Sequence, residues 1–332
     1  MHPAFRIGDL PVVRRVLAAP MCGATKPAYR RMVSRFGADV VYTEMVKAEP
    51  LARDDPRTLA LLTRAPGEEN CGPQICGHDD AVLAAAAARL EALGFPLVDI
   101  NMGCPVRKIV SQGAGAALLR DPRRVEAVVA ACAAATRLPV TVKLRSGWDH
   151  QGHADVVDLV RAAEAGGAAL ITIHARVRAQ RHTGEVDLAA LARAKQAASV
   201  PVVANGGITS GAGARELLAR TGCDAVMIGT GAHGRPWLFR DAARAIAGEP
   251  PLPPPGVDER CALVREHLEG TLAVMGAPGV RLFRKYAGWY FLDEEGAGEL
   301  RARAYRTSEP EAMRALIEAW RELLRERGAA AE

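Results

Sequence analysis

The sequence has no long apolar run, few aromatic residues and no paired cysteine motif. Nowhere do 18 consecutive apolar residues occur, and the N-terminus "MHPAFRIGDLPVVRR" lacks a basic segment followed by an apolar stretch. These absences argue against a membrane-spanning helix and a secretory signal, so we expect a cytoplasmic protein without a membrane partner. Seven cysteines without a C-x-x-C pair indicate neither a disulfide framework nor a zinc site, and we expect no metal.

The composition is that of a large globular protein. Of the 332 residues, 49% are hydrophobic and 24% are charged, and alanine is abundant, which is typical of a helix-rich chain. This length fits one α/β barrel with an appendage, or two mid-sized domains. The net charge of +5 mildly favours an acidic or phosphate-bearing partner.

Eight short β-branched runs alternate with Ala-rich helical stretches from residue 16 onward. Several of these runs are apolar at consecutive positions, as expected of parallel strands covered on both faces. Eight β/α repeats predict a TIM (β/α)8 barrel, with a doubly wound sheet as the alternative. The predicted strands span residues 16–21, 40–45, 72–76, 97–101, 140–145, 170–174, 202–206 and 225–229.

A proline-rich stretch, "GEPPLPPPG", is predicted to end the barrel, because it cannot continue a helix and is typical of a semi-rigid linker. After it, "DERCALVREHLEGTLAVMG" and "EPEAMRALIEAWRELLRER" carry apolar residues at helical spacing. We therefore predict an α/β barrel domain over 1–247, a linker over 248–257 and a small C-terminal helical domain over 258–332.

The predicted helical domain contains two clusters of basic and aromatic side chains. Basic residues interleaved with aromatics suit contact with phosphates and bases, but a solvated helix face explains them equally well. The first cluster is Arg281, Arg284, Lys285, Tyr286, Trp289 and Tyr290, and the second is Arg301, Arg303, Tyr305 and Arg306.

Polar side chains and glycines stand at the carboxyl ends of most predicted strands, where a barrel places its active site. "NGG" ends the seventh strand and "GTG" the eighth, and such loops can close backbone N–H groups on a phosphate, although glycines also simply make tight turns. The remaining strand-end residues are Pro20, Met21, Cys22, Gln74, Asn101, Lys143, Arg145, His174 and Arg176.

Three of these side chains have a chemistry that suits a ligand. Lys143 lies inside the apolar run "VTVKLR" and needs a partner when buried, and together with His174 it could hold a phosphate or an anionic ring. Gln74 offers both a donor and an acceptor, which suits the imide edge of a flavin or pyrimidine. We predict that Lys143 and His174 point into the mouth of the barrel, whereas the residue type of Gln74 alone leaves a ligand contact and a structural role equally open.

Cys104 differs from the other cysteines. It lies in "INMGCPVRK" beside Pro105, Arg107 and Lys108, surroundings that can expose a thiol and lower its pKa. Cys132, in contrast, is typical of a small packing residue. We predict that Cys104 is a reactive or proton-donating cysteine.

Seven segments together point to a known family: "APM", "GPQICG", "LVDINMGCPVRKIVSQGAGAALL", "VKLRSGWD", "ITIHAR", "VVANGGI" and "MIGTGAHGRPWLF". On these segments the chain resembles the bacterial FMN-dependent tRNA-dihydrouridine synthases. The resemblance covers essentially the whole barrel, and the N-x-G-C-P motif with the G-A-G that follows is highly specific. The tail resembles the family's helical tRNA-binding domain only loosely.

The resemblance implies an enzyme that uses FMN, reduced by NADPH or NADH, to reduce the C5–C6 double bond of particular uridines in tRNA. It implies that hydride goes from the flavin to C6, while Cys104 protonates C5 as a general acid. The implied FMN contacts are Pro20, Met21, Cys22, Gln74, Lys143 and His174 around the flavin, and Asn205, Gly206, Gly207, Gly229 and Thr230 at its phosphate. Asn101, Arg145 and Arg176 are assigned to the uracil or its nucleotide, and we expect a monomer.

A target uridine must be splayed out of a folded tRNA to reach such a pocket. Basic residues around the mouth are therefore expected to bind tRNA phosphates: Arg107, Lys108, Arg176, Arg178 and Arg181. Two positions depart from the family pattern. Thr230 stands where many relatives carry an arginine, so we expect either a lower affinity for FMN or a phosphate that is held more by backbone amides and Lys143. Gly207 stands where some relatives carry an acidic residue, and we expect little effect.

Two other functions remain open on the sequence. A flavin barrel that acts on a free pyrimidine, such as a dihydroorotate or dihydropyrimidine dehydrogenase, would not need the basic, aromatic tail. Activity after deletion of residues 258–332 would favour it. Alternatively, the protein could remodel tRNA without using a redox site, and unaltered modification after Cys104→Ala would favour that hypothesis.

Overall fold

The computed structural model describes residues 2–149, 154–180, 183–292 and 296–330. Within these residues, eight parallel strands form a barrel inside a ring of helices. The strands neighbour one another in chain order, and Leu17 pairs with Val40 to close the sheet. The predicted TIM (β/α)8 barrel, followed by C-terminal helices, is confirmed. Arg181 lies outside the described residues, as do 293–295, 331 and 332 of the predicted helical domain.

The barrel strands agree closely with the predicted runs. β7 and β8 match at both ends, whereas β3 ends at Ala18, three residues early. It ends there because the chain turns at Met21, whose carbonyl accepts hydrogen bonds from the N–H groups of Ala24 and Thr25. The strands are β3 (Val16–Ala18), β4 (Val41–Lys47), β5 (Cys71–Cys76), β6 (Val98–Met102), β7 (Val140–Arg145), β8 (Leu170–His174), β9 (Val202–Asn205) and β10 (Ala225–Ile228).

A hairpin precedes the barrel, where no strand was predicted. β1 (Phe5–Ile7) and β2 (Leu10–Val12) pair antiparallel across a two-residue turn, with Gly8 at φ +56°. Ile7 and Val12 are buried in one cluster with inward-facing barrel residues such as Leu17 and Val203. The hairpin thus closes the amino-terminal end of the barrel. The turn residues Gly8-Asp9 between two short apolar runs were the sequence signal for it.

Amphipathic helices cover the outside of the sheet and form the main hydrophobic core with it. Several begin at an aspartate whose carboxylate accepts a hydrogen bond from a backbone N–H of the first turn, as Asp79 and Asp187 do. The helices are α1 (Pro27–Arg35), α2 (Ala48–Ala52), α3 (Pro56–Leu61), α4 (Asp80–Ala92), α5 (Arg107–Val110), α6 (Pro122–Ala135), α7 (Val156–Ala165), α8 (Leu188–Ala197), α9 (Gly211–Thr221) and α10 (Leu238–Ile246). Among the described helices, none has the length and apolarity needed to span a membrane.

The described part of the tail after residue 256 forms four helices: α11 (Val257–Met275), α12 (Gly279–Tyr290), α13 (Gly298–Ala304) and α14 (Pro310–Ala330). The first and last coincide with the two amphipathic segments of the sequence. Residues 249–256, within the predicted linker, are in neither helix nor strand. The division into three domains itself stays a prediction.

Helix α12 docks on the mouth of the barrel through its aromatic side chains. Tyr286 is buried, stacks on Tyr29 and donates a hydrogen bond to the carbonyl of Ala24 at 2.7 Å. Tyr290 is also buried, with its hydroxyl 2.9 Å from Nδ1 of His267. Both tyrosines are therefore inaccessible to RNA and to solvent. The sequence suggested either contact with nucleic acid or a solvated helix face, and for Tyr286 and Tyr290 both of these alternatives are wrong. Tyr286 ties the tail to the barrel instead, and Tyr290 ties α12 to His267 of α11 within the tail.

Candidate active site

The residues predicted for the site all line two adjoining cavities at the carboxyl-terminal end of the barrel. The cavities have volumes of about 220 and 400 Å³ and share Pro20, Met21, Lys143, His174 and Thr230. Parallel strand ends converge at this mouth, so residues far apart in the sequence meet there. The first cavity is also lined by Asn205, Gly206, Gly207, Gly229 and Arg176, and the second by Cys22, Gln74, Asn101, Cys104 and Arg145.

Two glycine-containing loops form one wall of the first cavity. Gly206 follows β9 with φ +124°, and a Cβ there would lie 3.1 Å from Cδ2 of His174. Only glycine fits this position without strain. Within the described part of the chain, the N–H groups of Gly207 and Thr230 donate to no backbone oxygen. The wall therefore presents backbone donors that an anion could use.

Lys143 brings a positive charge into both cavities. Its Nζ donates a hydrogen bond to Oδ1 of Asn205 at 2.9 Å. Asn205 is oriented for this contact because its Nδ2 donates to the Met227 carbonyl, which can only accept. Burial lowers the pKa of Lys143 to about 8, against the opposing effect of the Asp99 carboxylate. The ammonium form predominates at neutral pH, so the site attracts anions.

His174 and Arg176 continue the polar lining of the first cavity. The guanidinium of Arg176 lies 3.2 Å from Nε2 of His174 and donates two hydrogen bonds to the carbonyl of Gly184. Because a guanidinium only donates, this contact makes Nε2 the acceptor and places the ring proton on Nδ1. Arg176 was predicted to contact the nucleotide, but it lies beside the predicted phosphate loops.

In the second cavity, the Cys104 loop is held by a side-chain amide. Oδ1 of Asn101 accepts hydrogen bonds from the N–H groups of Gly103 and Cys104, at 3.2 and 2.9 Å. Nδ2 of Asn101 donates to Oε1 of Gln74 at 2.7 Å. Arg145 adds a bond from Nε to the Gly103 carbonyl. The loop is therefore tied to three strands, β5, β6 and β7.

The G-A-G segment that follows the cysteine packs directly on its loop. Gly115 has φ +60°, and a Cβ there would lie 2.9 Å from the Cys104 carbonyl oxygen. That oxygen accepts a hydrogen bond from the N–H of Ala116 at 3.1 Å. Cys104 is half-buried and packs against Cys76, Ile109 and Ala114. This local packing explains why the two parts of the motif occur together.

The tail completes the second cavity. Lys285 and Trp289 of α12 line it together with His233 from the loop after β10. The rings of His233 and Trp289 stack with their centroids 3.5 Å apart, and Lys285 donates a hydrogen bond to the carbonyl of Gly23. Burial, reinforced by Lys285, lowers the pKa of His233 to about 4, so its imidazole is neutral at neutral pH.

Sequence reasoning missed His233 and placed Lys285 and Trp289 only in a general RNA-binding cluster. The signal for His233 was its position in "GTGAHG", directly after a predicted strand end. No local signal placed α12 over the mouth, because that contact joins residues more than 250 positions apart, such as Gly23 and Lys285.

All seven cysteines are free, and five of them are buried. Cys22, at the rim of the second cavity, is exposed. Among the described residues, no three His, Cys, Asp or Glu side chains are grouped as a metal ion would require.

Comparison with known proteins connects this site to a family. The dihydrouridine synthase (Dus) pattern matches residues 16–326. "tRNA-dihydrouridine synthase B" of Pseudomonas aeruginosa is 38% identical over 313 residues, 94% of this chain and 94% of the relative. "Probable tRNA-dihydrouridine synthase" of Rhodobacter capsulatus is 40% identical over 307 residues, 91% of this chain and 93% of the relative.

A solved structure of 2-naphthoyl-CoA reductase with 2-naphthoyl-CoA shares the fold, with a TM-score of 0.56 over 74% of this chain and 52% of that chain. Its sequence identity of 14% supports a likeness in fold alone. The family pattern, by contrast, spans both the barrel with its cysteine loop and the docked helices. The chain therefore belongs to the dihydrouridine synthase family of flavin-dependent oxidoreductases.

Proposed function

We propose that this protein is a tRNA-dihydrouridine synthase that reduces the C5–C6 double bond of particular uridines, using FMN and a nicotinamide nucleotide, NADPH or NADH. The observation that carries the proposal is one shared space: Cys104, Gln74 and Lys143 line the same cavity, beside two glycine loops. Relatives whose names state this activity match more than 90% of the chain.

The first cavity fits the phosphate end of FMN. Its cradle includes Gly206, where any Cβ would crowd His174, so the loop stays narrow only with glycine. Its donors are a buried ammonium and backbone N–H groups, the set that suits a phosphate. The residues that would hold the phosphate are Lys143, His174, Asn205, Gly206, Gly207, Gly229 and Thr230.

Arg176 is the residue that offsets the missing arginine at position 230. It lines the same cavity as Thr230, and its guanidinium is held by the Gly184 carbonyl next to His174. A cation reaching the cavity from the β8 loop can pair with a phosphate as one from the β10 loop would. We therefore assign Arg176 to the FMN phosphate in preference to the nucleotide.

The ring of FMN would lie where the two cavities meet. Pro20 and Met21 line both cavities, and Cys22 and Gln74 line the second. After its bonds to Asp99 and Asn101, the Gln74 amide keeps one N–H and one lone pair, which suits an imide edge. Bound FMN, once reduced by the nicotinamide nucleotide, would supply the hydride.

Cys104 holds the proton that the reaction needs at C5 of the uracil. Cys104 lines the larger cavity, and its loop is held by Asn101 and packs on Gly115, so the backbone that carries the thiol has a defined position before the substrate enters. A positioned general acid needs this kind of preorganisation. Asn101 and Arg145 line the same cavity and would contact the base or its nucleotide.

A tRNA is the substrate that suits the surroundings of this cavity. Arg107 and Lys108 are exposed next to the cysteine loop, and Lys285 of the tail lies at the same cavity. A stretched-out nucleotide would bring its phosphates among these cations. The larger cavity is open enough, at about 400 Å³, for a base that leaves its stack.

The first experiment is to map dihydrouridine by mass spectrometry in tRNA from cells with and without this gene. We expect one or a few uridines to lose the two added hydrogen atoms when the gene is absent. The purified protein should be yellow, release FMN on denaturation and restore those positions in an unmodified transcript with NADPH.

Reactions without reductant, and with the Cys104→Ala variant, control for modification that comes from another enzyme. A protein that takes up no added FMN and leaves the transcript unchanged would overturn the proposal. Reduction of free uracil or orotate, but not of tRNA, would replace it with a free-pyrimidine reductase.

A further inference from the structure

A carboxylate is buried inside the barrel directly below the proposed active site. Asp99 is only 2% exposed and belongs to none of the groups that line the two cavities. It faces inward from β6, and its register neighbours are Gln74 on β5 and Thr141 on β7. A buried carboxylate is costly unless it is hydrogen-bonded, so its partners indicate what it does.

Both oxygens of Asp99 accept short hydrogen bonds from these two neighbours. Oδ1 accepts from the hydroxyl of Thr141, and Oδ2 from Nε2 of Gln74, each at 2.7 Å. The second bond continues upward, because Oε1 of Gln74 accepts from Nδ2 of Asn101. Oδ1 of Asn101 in turn accepts from the N–H of Cys104. One chain of hydrogen bonds thus runs from Asp99 to the cysteine loop.

The groups at the two ends of this chain of hydrogen bonds determine which atom donates and which accepts at each step. A carboxylate can only accept, and the backbone N–H groups of Gly103 and Cys104 can only donate. The two amides between them, Gln74 and Asn101, must therefore each turn the oxygen towards the cysteine loop and the nitrogen towards Asp99. If either amide flipped, an N–H would face an N–H or an oxygen would face an oxygen.

We propose that Asp99 is a positioning residue for the proposed reduction: its carboxylate sets the orientation of the Gln74 amide and, through Asn101, holds the Cys104 loop in place. This inference rests on the proposed function, since it assigns Gln74 to the flavin side of the site and Cys104 to proton donation. Asp99 itself touches neither ligand.

The charge on Asp99 strengthens the chain, because a hydrogen bond to an ionised acceptor is about twice as strong as a neutral one. Burial raises the pKa of Asp99 to about 6, although Thr141, Gln74 and the Lys143 ammonium lower it. The phenol of Tyr42 on β4 is a further titratable group that faces Asp99, and burial raises its pKa well above the usual value. As the pH falls through about 6, Asp99 becomes neutral and the chain weakens.

The test compares three variants at saturating FMN, NADPH and tRNA transcript. Asp99→Ala removes the acceptor, and we expect turnover to fall by about 10²-fold, the cost of a small misplacement of reacting groups. Asp99→Asn keeps the volume and one acceptor but no charge, and we expect a loss of about tenfold at pH 7.5. Thr172→Val is the matched control, because Thr172 is buried in the barrel and its hydroxyl has no partner among the described residues. Its turnover should match that of the wild type.

A pH series separates positioning from a general loss of structure. In the ratio of the wild-type turnover rate to the Asp99→Asn turnover rate, the pH effects of all groups that titrate in both proteins cancel. We expect this ratio to fall from about ten at pH 7.5 towards one at pH 5, because the wild-type carboxylate then becomes neutral like the amide. A ratio that stays constant over this range would overturn the proposal.

A second readout needs neither turnover nor cofactor. Without Asp99 the loop should open more often, so Cys104 should react with iodoacetamide about tenfold faster in Asp99→Ala, and severalfold faster in Asp99→Asn, while Cys22 is unchanged as an internal reference. Peptide mass spectrometry resolves the two cysteines. If the wild type makes no dihydrouridine, the proposed function fails, but the alkylation rates still report on Asp99. If the wild type is active and the Asp99 variants match Thr172→Val in turnover and alkylation, the positioning role is wrong.

Discussion

The two ends of the barrel interior have opposite character although the same strands build both. At the amino-terminal end, Ile7 and Val12 of the hairpin pack on Leu17 and Val203 in an apolar cluster. At the carboxyl-terminal end, two residues further along β9, Asn205 pairs with Lys143. The apolar end fixes the strands, and the strands in turn fix the polar side chains above. Substitutions at one end should therefore affect stability, and those at the other end chemistry.

The largest effect is expected at the polar end, from Cys104→Ala. Loss of a positioned general acid should lower dihydrouridine formation by about 10² to 10⁴-fold. FMN content and the melting temperature should stay at the wild-type values, because the loop is held by Asn101 through its backbone. Mass spectrometry of a tRNA transcript measures the rate. Cys132→Ala, in a buried site on α6, is the control, and equal rates in wild type and Cys104→Ala would assign the proton donor to another group.

At the apolar end, Leu17→Ala is expected to lower the stability of the protein and to leave its turnover rate nearly unchanged. Leu17 is fully buried on β3, and such a truncation costs about 2–5 kcal/mol of unfolding free energy. Turnover per folded molecule should change little at low temperature, because the carboxyl-terminal side chains keep their partners. Chemical denaturation measures the unfolding free energy, and kinetics normalised to the FMN content measure the turnover per folded molecule. Leu17→Met should be nearly neutral. A loss of turnover without a loss of stability would contradict the division between the two ends.

A smaller effect is expected from Lys143→Met, which removes the cation of the first cavity. A hydrogen bond from a charged group contributes about 1.5–3 kcal/mol, so the Kd for FMN should rise by about ten- to a hundredfold. The affinity of the wild type should also fall as the pH rises through about 8, where Lys143 loses its proton, and the variant should lack this step. Flavin fluorescence titration measures both. Lys195→Met, on the outer helix α8, is the control. Equal affinities of the two variants for FMN would mean that Lys143 does not contribute to FMN binding.

The barrel and its site could be predicted from the sequence because their signals are local. Strand periodicity gave the eight strands, and strand ends in a barrel converge, so Gln74, Cys104 and Lys143 could be placed together without knowing any long-range contact. What remained hidden was the hydrogen-bond direction among these residues. That direction depends on Asp99, which the sequence alone presents as one more residue of an apolar strand.

The tail could not be predicted to the same degree. Its amphipathic helices α11 and α14 follow from periodicity, but α12 carries a basic and aromatic pattern that fits a surface as well as an interface. Long-range contacts decide that α12 forms an interface: for example, the Tyr286 hydroxyl donates a hydrogen bond to the carbonyl of Ala24, 262 positions away in the sequence. Because Trp289 and Lys285 line the larger cavity, deletion of residues 258–332 would open the cavity itself. That truncation therefore cannot separate a tRNA substrate from a free pyrimidine.

The smallest effect is expected at the rim of the polar end, from Arg107→Ala. Arg107 is exposed at the start of α5, just beyond the cysteine loop, and it lines neither cavity. A phosphate contact there should add affinity for tRNA without sequence information, so its loss should weaken binding severalfold and reduce the slope of log K against log salt by about one. Turnover at saturating tRNA should stay constant, since Cys104 is untouched. Arg161→Ala, on the outer helix α7, is the control, because it changes the net charge of the protein by the same amount. If both variants lose the same affinity for tRNA, that affinity depends on the net charge of the protein and not on a local contact at Arg107.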